Sequence, residues 1–91
     1  MLHMNLNKPI CKIRKGYKEW YLNGKRHRED GPAVEYADGK QEWYRNDKLH
    51  REDGPAVEYA SGVKFWYLNG ERIDDPLVFL IRLHELQVVD S

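Results

Sequence analysis

His27-Arg28-Glu29-Asp30-Gly31-Pro32-Ala33-Val34-Glu35-Tyr36-Ala37 recurs without a change from His50 to Ala60, 23 residues further on. The same shift aligns Trp20, Trp43 and Trp66, the three tryptophans of the chain. It also aligns Tyr21, Tyr44 and Tyr67; Asn23, Asn46 and Asn69; and Gly16, Gly39 and Gly62. Self-similarity at a fixed short period is the signature of a repeat architecture. Carried backwards, Pro9 aligns with Pro32 and Pro55, and Cys11 with Val34 and Val57. The chain therefore divides into a leader (1–8), three repeats (9–31, 32–54 and 55–77) and a C-terminal cap and tail (78–91).

Each repeat has β chemistry. Asp38-Gly39, like Lys15-Gly16 and Ser61-Gly62, is a hairpin turn in which glycine takes a positive φ. A two-residue loop there sets Tyr36 opposite Gln41, Val34 opposite Trp43 and Ala33 opposite Tyr44. Asn23-Gly24, Asn46-Asp47 and Asn69-Gly70 reverse the chain again, which sets Trp43 opposite His50 and Tyr44 opposite Leu49. Arg-Glu-Asp-Gly-Pro then makes the corner into the next repeat, with Pro ending the pairing. The expected fold is mainly β, a single-layer array of three antiparallel meander repeats.

Past the last repeat the period changes. Asp74-Asp75-Pro76 reads as an N-cap region with Pro in the first helical turn. Leu77, Leu80, Ile81 and His84 follow at helical spacing, widened by Leu83 and Leu86. A short amphipathic α-helix over 76–87 is expected to cap the last hairpin, since a terminal repeat has no neighbour to pack against.

Period-2 alternation puts the Trp row and the Tyr row on opposite faces. One row is core and the other is free to form an interface, where Tyr and Trp are enriched. The reading places the Trp row inside, beside Cys11, Val34, Val57 and Ile73. That leaves Tyr21, Tyr44 and Tyr67 as the partner-binding face, with Trp20, Trp43 and Trp66 as the alternative.

The Trp-Tyr-x-Asn-Gly and Gly-x-x-His elements at this period resemble the MORN repeat family, in its degenerate variant. The matching segments are Gly24-Lys25-Arg26-His27-Arg28-Glu29-Asp30-Gly31 and Asp47-Lys48-Leu49-His50-Arg51-Glu52-Asp53-Gly54. Arg28 and Arg51 replace the family's glycine after His, and Asp47 replaces the turn glycine. The His-Arg-Glu-Asp-Gly-Pro-Ala form is similar to repeats of small phage and large-DNA-virus proteins. The resemblance implies an elongated sheet of hairpins that binds proteins and in some cases lipids. It further implies a phage or viral accessory protein that modulates or blocks a host protein, defence proteins included, in the host cytoplasm.

His27, Glu29 and Asp30, with His50, Glu52 and Asp53, invite a metal or acid–base reading, but spacing argues against it. Equivalent residues of successive repeats stand about 9–14 Å apart, whereas zinc ligands bring their donors to about 2 Å from one ion. In the third repeat Ile73 occupies the His position. His27, Arg28, Asp30, His50, Arg51 and Asp53 are read as structural corners, closed by charge-assisted bonds. Cys11 stands at an apolar strand position and reads as a small buried residue. Without a nucleotide-binding loop or a paired Cys and His, no cofactor, no small-molecule substrate and no enzymatic activity is expected.

The 91 residues carry 15 Lys plus Arg and 15 Asp plus Glu, a net charge of zero. That balance is unevenly laid out: residues 1–28 sum to +7 and residues 29–91 to −7. Lys12, Lys18, Lys25 and Arg26 form a candidate anion-binding cluster for nucleic acid or anionic lipid, the alternative to protein binding. A lone cysteine fits a reducing compartment, hence a cytoplasmic protein. Residues 1–8 lack the apolar core of a signal peptide, and Leu77–Ile81 is too short to span a bilayer. A small open sheet with uncovered edges is expected to self-associate.

Overall fold

The computed structural model describes residues 8–88. All of the expected leader except Lys8, and the last three residues of the tail, lie outside them. Three Asn-led turns organise the chain. Asn23, Asn46 and Asn69 hold φ of 53°, 49° and 48°, and Gly24, Asp47 and Gly70 follow at 78°, 67° and 83°. Two successive left-handed residues make a type I′ turn, whose twist matches that of the strands it joins. The hairpin register is the one counted from the turn: Tyr44 pairs with Leu49, and the His50 N–H donates to the Trp43 carbonyl at 3.0 Å.

The described residues form eleven strands and one helix: β1 (Ile10–Arg14), β2 (Tyr17–Leu22), β3 (Lys25–Arg26), β4 (Val34–Tyr36), β5 (Gln41–Glu42), β6 (Tyr44–Arg45), β7 (Lys48–Leu49), β8 (Val57–Glu58), β9 (Lys64–Phe65), β10 (Tyr67–Leu68), β11 (Glu71–Arg72) and α1 (Pro76–Val88). The main sheet has seven antiparallel strands in the order β1-β2-β4-β5-β8-β9, with β3 also paired to β2. The β6-β7 and β10-β11 hairpins are separate pairs. Successive hairpins touch edge to edge. The Asp47 N–H donates to the Arg26 carbonyl at 2.9 Å, and the Gly70 N–H to the Leu49 carbonyl at 2.8 Å. The principal extents are 47 × 39 × 16 Å.

The first turn departs from expectation in the second and third repeats. Lys15-Gly16 is a two-residue loop, and Cys11 faces Trp20 as counted. In the next two repeats the loop has three residues. The Tyr36 N–H donates to the Lys40 carbonyl at 2.9 Å, and the Gly39 N–H back to the Tyr36 carbonyl at 3.0 Å. Asp38 Oδ1 takes the Lys40 N–H at 3.0 Å, a local bond that Lys15 cannot make. Gly39, at φ 99°, fills the bulge position of that loop. Val34 therefore faces Glu42, not Trp43, and Val57 faces Phe65. A one-residue shift moves a cross-strand partner to the other face. Individual contacts keep the 23-residue period, but the strand pattern as a whole does not.

The shift creates one continuous row across the sheet: Lys12, Glu19, Val34, Glu42, Val57, Phe65. Val34 thus lies between Glu19 and Glu42, and Val57 between Glu42 and Phe65, and neither pairs with the Trp row. The neighbouring row begins at Ile13 in β1 and is polar beyond it: Lys18, Glu35, Gln41, Glu58 and Lys64.

Helix α1 starts where Asp75 Oδ1 accepts the Leu77 N–H at 2.9 Å, with Pro76 in the first turn. Its buried side is Phe79 with Leu83 and Leu86, packed on Leu68 and Ile73. The expected stripe of Leu77, Leu80 and Ile81 is instead exposed. The helix is apolar on nearly every side, so periodicity alone could not select the packed one. Among the described residues no helix is long and apolar enough to cross a membrane.

Candidate interaction surface

On the Tyr side of the sheet, the strand positions bury acid. Glu19 is 4% and Glu42 9% exposed. Glu19 accepts from the Arg26 guanidinium at 3.2 Å, with Arg14 3.8 Å away. Glu42 Oε1 accepts the Tyr36 and Tyr44 hydroxyls at 3.2 and 3.3 Å, and Lys40 Nζ stands 3.2 Å from its other oxygen. Cations cover the rings: Lys12 over Tyr21 at 4.7 Å, Arg26 over Tyr44 at 5.2 Å, Lys40 over Tyr59 at 4.7 Å. In the third repeat Phe65 takes the glutamate position, and the Arg72 guanidinium lies over its ring at 4.4 Å.

These contacts move the titrations. Burial pushes the Glu19 carboxyl up, but a hydrogen bond with Tyr21 and the Arg26 and Arg14 guanidinium groups outweigh it and hold it below the usual carboxylate range. Burial and the adjacent Glu42 charge both push the Tyr36 and Tyr44 phenols up. A carboxylate depressed in the fold stabilises it above the ordinary Glu range, and that contribution is lost as pH falls through the folded value. Glu19→Gln should therefore destabilise the protein at about pH 7 and lose most of its effect at about pH 3. Urea unfolding of both proteins at each pH checks this; an equal effect at both would mean the charge contributes nothing.

On the opposite side the first two corners close over a tryptophan. The Arg28 guanidinium lies 3.9 Å from the Trp20 ring centroid, and Arg51 lies 3.9 Å from that of Trp43. Gly31 and Gly54 back these stacks: a Cβ on either would sit 2.8 Å from the arginine Cζ. Arg28 Nε donates to Asp30 at 3.2 Å and Arg51 Nε to Asp53 at 2.9 Å. The Arg51 bond holds the Asp53 carboxyl below its ordinary range. Arg28 and Arg51 also donate to the carbonyls of Pro32 and Pro55.

The buried imidazoles pin one hairpin to the next. His27 Nδ1 accepts the Asn46 N–H at 3.1 Å, and His50 Nδ1 accepts the Asn69 N–H at 2.8 Å. Accepting at Nδ1 leaves the proton on Nε2, which faces Glu29 at 3.3 Å and Glu52 at 2.9 Å. Among the described residues no three His, Cys, Asp or Glu side chains converge into a metal-binding group. Cys11 is exposed, not buried, because β1 is the outer strand of the sheet and all five of its residues face solvent.

The third corner is different. At the position of Arg28 and Arg51 the chain has Asp74, and at that of Gly31 and Gly54 it has Leu77. Among the described residues no arginine stacks on Trp66, and the residue is 37% exposed. It opens into an apolar cleft of about 260 Å³ with Ile73, Asp74, Pro76, Phe79 and Leu80.

Tyr21, Tyr44 and Tyr67 are all half-buried, as are Trp20 and Trp43. The expected division into an inner Trp row and an open Tyr row therefore gives way to a division by position along the chain. Of the basic cluster, Arg26 is committed to Glu19 and Lys12 to the Tyr21 ring, while Lys18 and Lys25 are exposed. The sequence reading missed the buried Glu19 and Glu42. Their alignment with Phe65 was the available signal, because a position that also accepts phenylalanine is a covered one.

Searches of family models, curated proteins and solved structures find no match to this chain.

Proposed function

We propose that the protein is a non-enzymatic interaction module, a single-layer array of three hairpin repeats that recognises another protein through its third-repeat end. The carrying observation is the uncovered Trp66. Two corners cover a tryptophan with an arginine that is itself backed by glycine, and the third leaves the ring in an apolar cleft bounded by α1. A large aromatic in a concave apolar site with one carboxylate, Asp74, in its lining suits a partner's aliphatic or aromatic side chain. The Tyr ladder is the weaker candidate, since the Tyr44 hydroxyl is bonded to Glu42 and its ring lies beneath Arg26. The degenerate MORN resemblance adds an expected setting: a phage or viral accessory protein that binds and modulates or blocks a host protein in the cytoplasm.

The test is capture of a partner from a cell lysate, followed by calorimetry with the purified partner. Trp66→Ala should weaken binding by about a hundredfold or more, the scale of an aromatic hot spot, while Tyr67→Phe leaves it unchanged. Equal binding by Trp66→Ala would overturn the site. Binding of oligonucleotides or anionic vesicles at low salt, lost on replacing Lys12, Lys18 and Lys25 by Ser, would favour the alternative reading.

A further inference from the structure

The two closed corners show what a covered tryptophan of this chain carries. On Trp20 and on Trp43 it is a guanidinium 3.9 Å from the ring centroid, with its Nε bonded to a carboxylate, Asp30 or Asp53. Lysine is used elsewhere: Lys12 and Lys40 lie over Tyr21 and Tyr59. The third corner keeps the indole and a carboxylate and lacks the cation. Asp74, in the place of Arg51, lines the cleft, while Leu77, in the place of Gly54, is exposed outside that lining.

We propose that the cleft takes an arginine side chain of the partner, laid on Trp66 as Arg28 and Arg51 lie on Trp20 and Trp43; the inference rests on the reading of this cleft as the partner site. The methylene stem is the aliphatic part that Ile73, Pro76, Phe79 and Leu80 receive, and the planar guanidinium stacks on the indole. Asp74 supplies the opposite charge. Arg72 Nε already donates to its Oδ1 at 2.8 Å. A carboxylate accepts at both oxygens, and a side chain that is 73% exposed leaves the second within reach of an incoming donor. The surrounding charge favours a cation. Residues 71–88 hold four acids, Glu71, Asp74, Asp75 and Glu85, against two arginines, Arg72 and Arg82. Both arginines are engaged, Arg72 over Phe65 and Arg82 with Glu71 at 2.6 Å, and neither stacks on Trp66.

NMR spectra of the isotope-labelled full chain test the proposal through the indole N–H signals of Trp20, Trp43 and Trp66. Titration with the blocked peptide acetyl-Gly-Arg-Gly-amide should shift the Trp66 signal, assigned by its absence from Trp66→Ala, with a dissociation constant of about millimolar. The signals of Trp20 and Trp43, whose rings are already covered, should stay in place. Peptides with citrulline or leucine for arginine should bind about tenfold more weakly, since they lack the cation. Asp74→Asn should weaken the arginine peptide about threefold. Equal binding of the three peptides, no shift at about 10 mM arginine peptide, or an Asp74→Asn chain with wild-type affinity would each overturn the arginine site. The lysate partner separates this inference from the reading beneath it. If Trp66→Ala loses the partner and no peptide is preferred, the cleft stands and its arginine falls. If the arginine peptide alone shifts Trp66 and Trp66→Ala still captures the partner, the arginine site stands and the cleft is not where that partner binds.

Discussion

His50→Ala should lower the free energy of unfolding by about 3 kcal/mol, measured by urea denaturation. The imidazole is 4% exposed and ties three segments together. It accepts the backbone N–H of Asn69 in the next hairpin turn, faces Glu52 at 2.9 Å, and through Glu52 reaches Arg45 at 3.3 Å. Alanine removes the ring, leaves a void at the hairpin junction and strips a turn amide of its acceptor. His50→Phe separates the two contributions, since it keeps most of the volume and loses both bonds; about half of the loss is expected. His27, with longer bonds of 3.1 and 3.3 Å, should matter less. A loss below about 1 kcal/mol for His50→Ala would mean that the hairpins are held by their backbone contacts alone.

Trp43→Ala should cost about 3 kcal/mol and Trp66→Ala less than about 1 kcal/mol, although the two residues are equivalent in sequence. Removing Trp43 frees the Arg51 guanidinium from the face on which it rests and hollows a closed corner. Removing Trp66 takes away a ring that is already open to solvent along one side. Trp43→Phe sharpens the comparison. The Trp43 Nε1 is buried with no hydrogen-bond acceptor, so phenylalanine gives up ring area while also removing an unsatisfied donor. It should therefore cost less than about 1.5 kcal/mol. Urea midpoints for the three variants check the order, and a Trp66→Ala penalty equal to that of Trp43→Ala would contradict the open corner.

The features that the sequence made plain are those set by local chemistry. Asn46-Asp47 takes two left-handed residues and dictates the register of its hairpin, and Asp75 before Pro76 starts the helix. Asp38-Gly39 was ambiguous for a physical reason: the same dipeptide closes a two-residue loop or the last part of a three-residue one. The three-residue loop forms at Ser61-Gly62 as well, and its one residue of slip carries Val34 away from the Trp row. Glu19 and Glu42 look like solvated strand residues until their partners are in place. Tyr36, Tyr44, Lys40 and Arg26 reach them from other strands, which no local pattern encodes. The packed side of α1 was illegible because Leu and Ile stand on both of its sides, and only the shape of Leu68 and Ile73 beneath it distinguishes them.

The row Lys12, Glu19, Val34, Glu42, Val57, Phe65 changes character along its length, from charged residues at the outer strand to hydrocarbon at β9. Such a gradient gives unfolding a direction. The β1 end has five solvent-facing residues and contacts that water and salt weaken, whereas the α1 end is anchored by Leu68, Ile73 and Phe79. The sheet should therefore open first at its outer strand, with the β1 amides exchanging with solvent ahead of those in the helix.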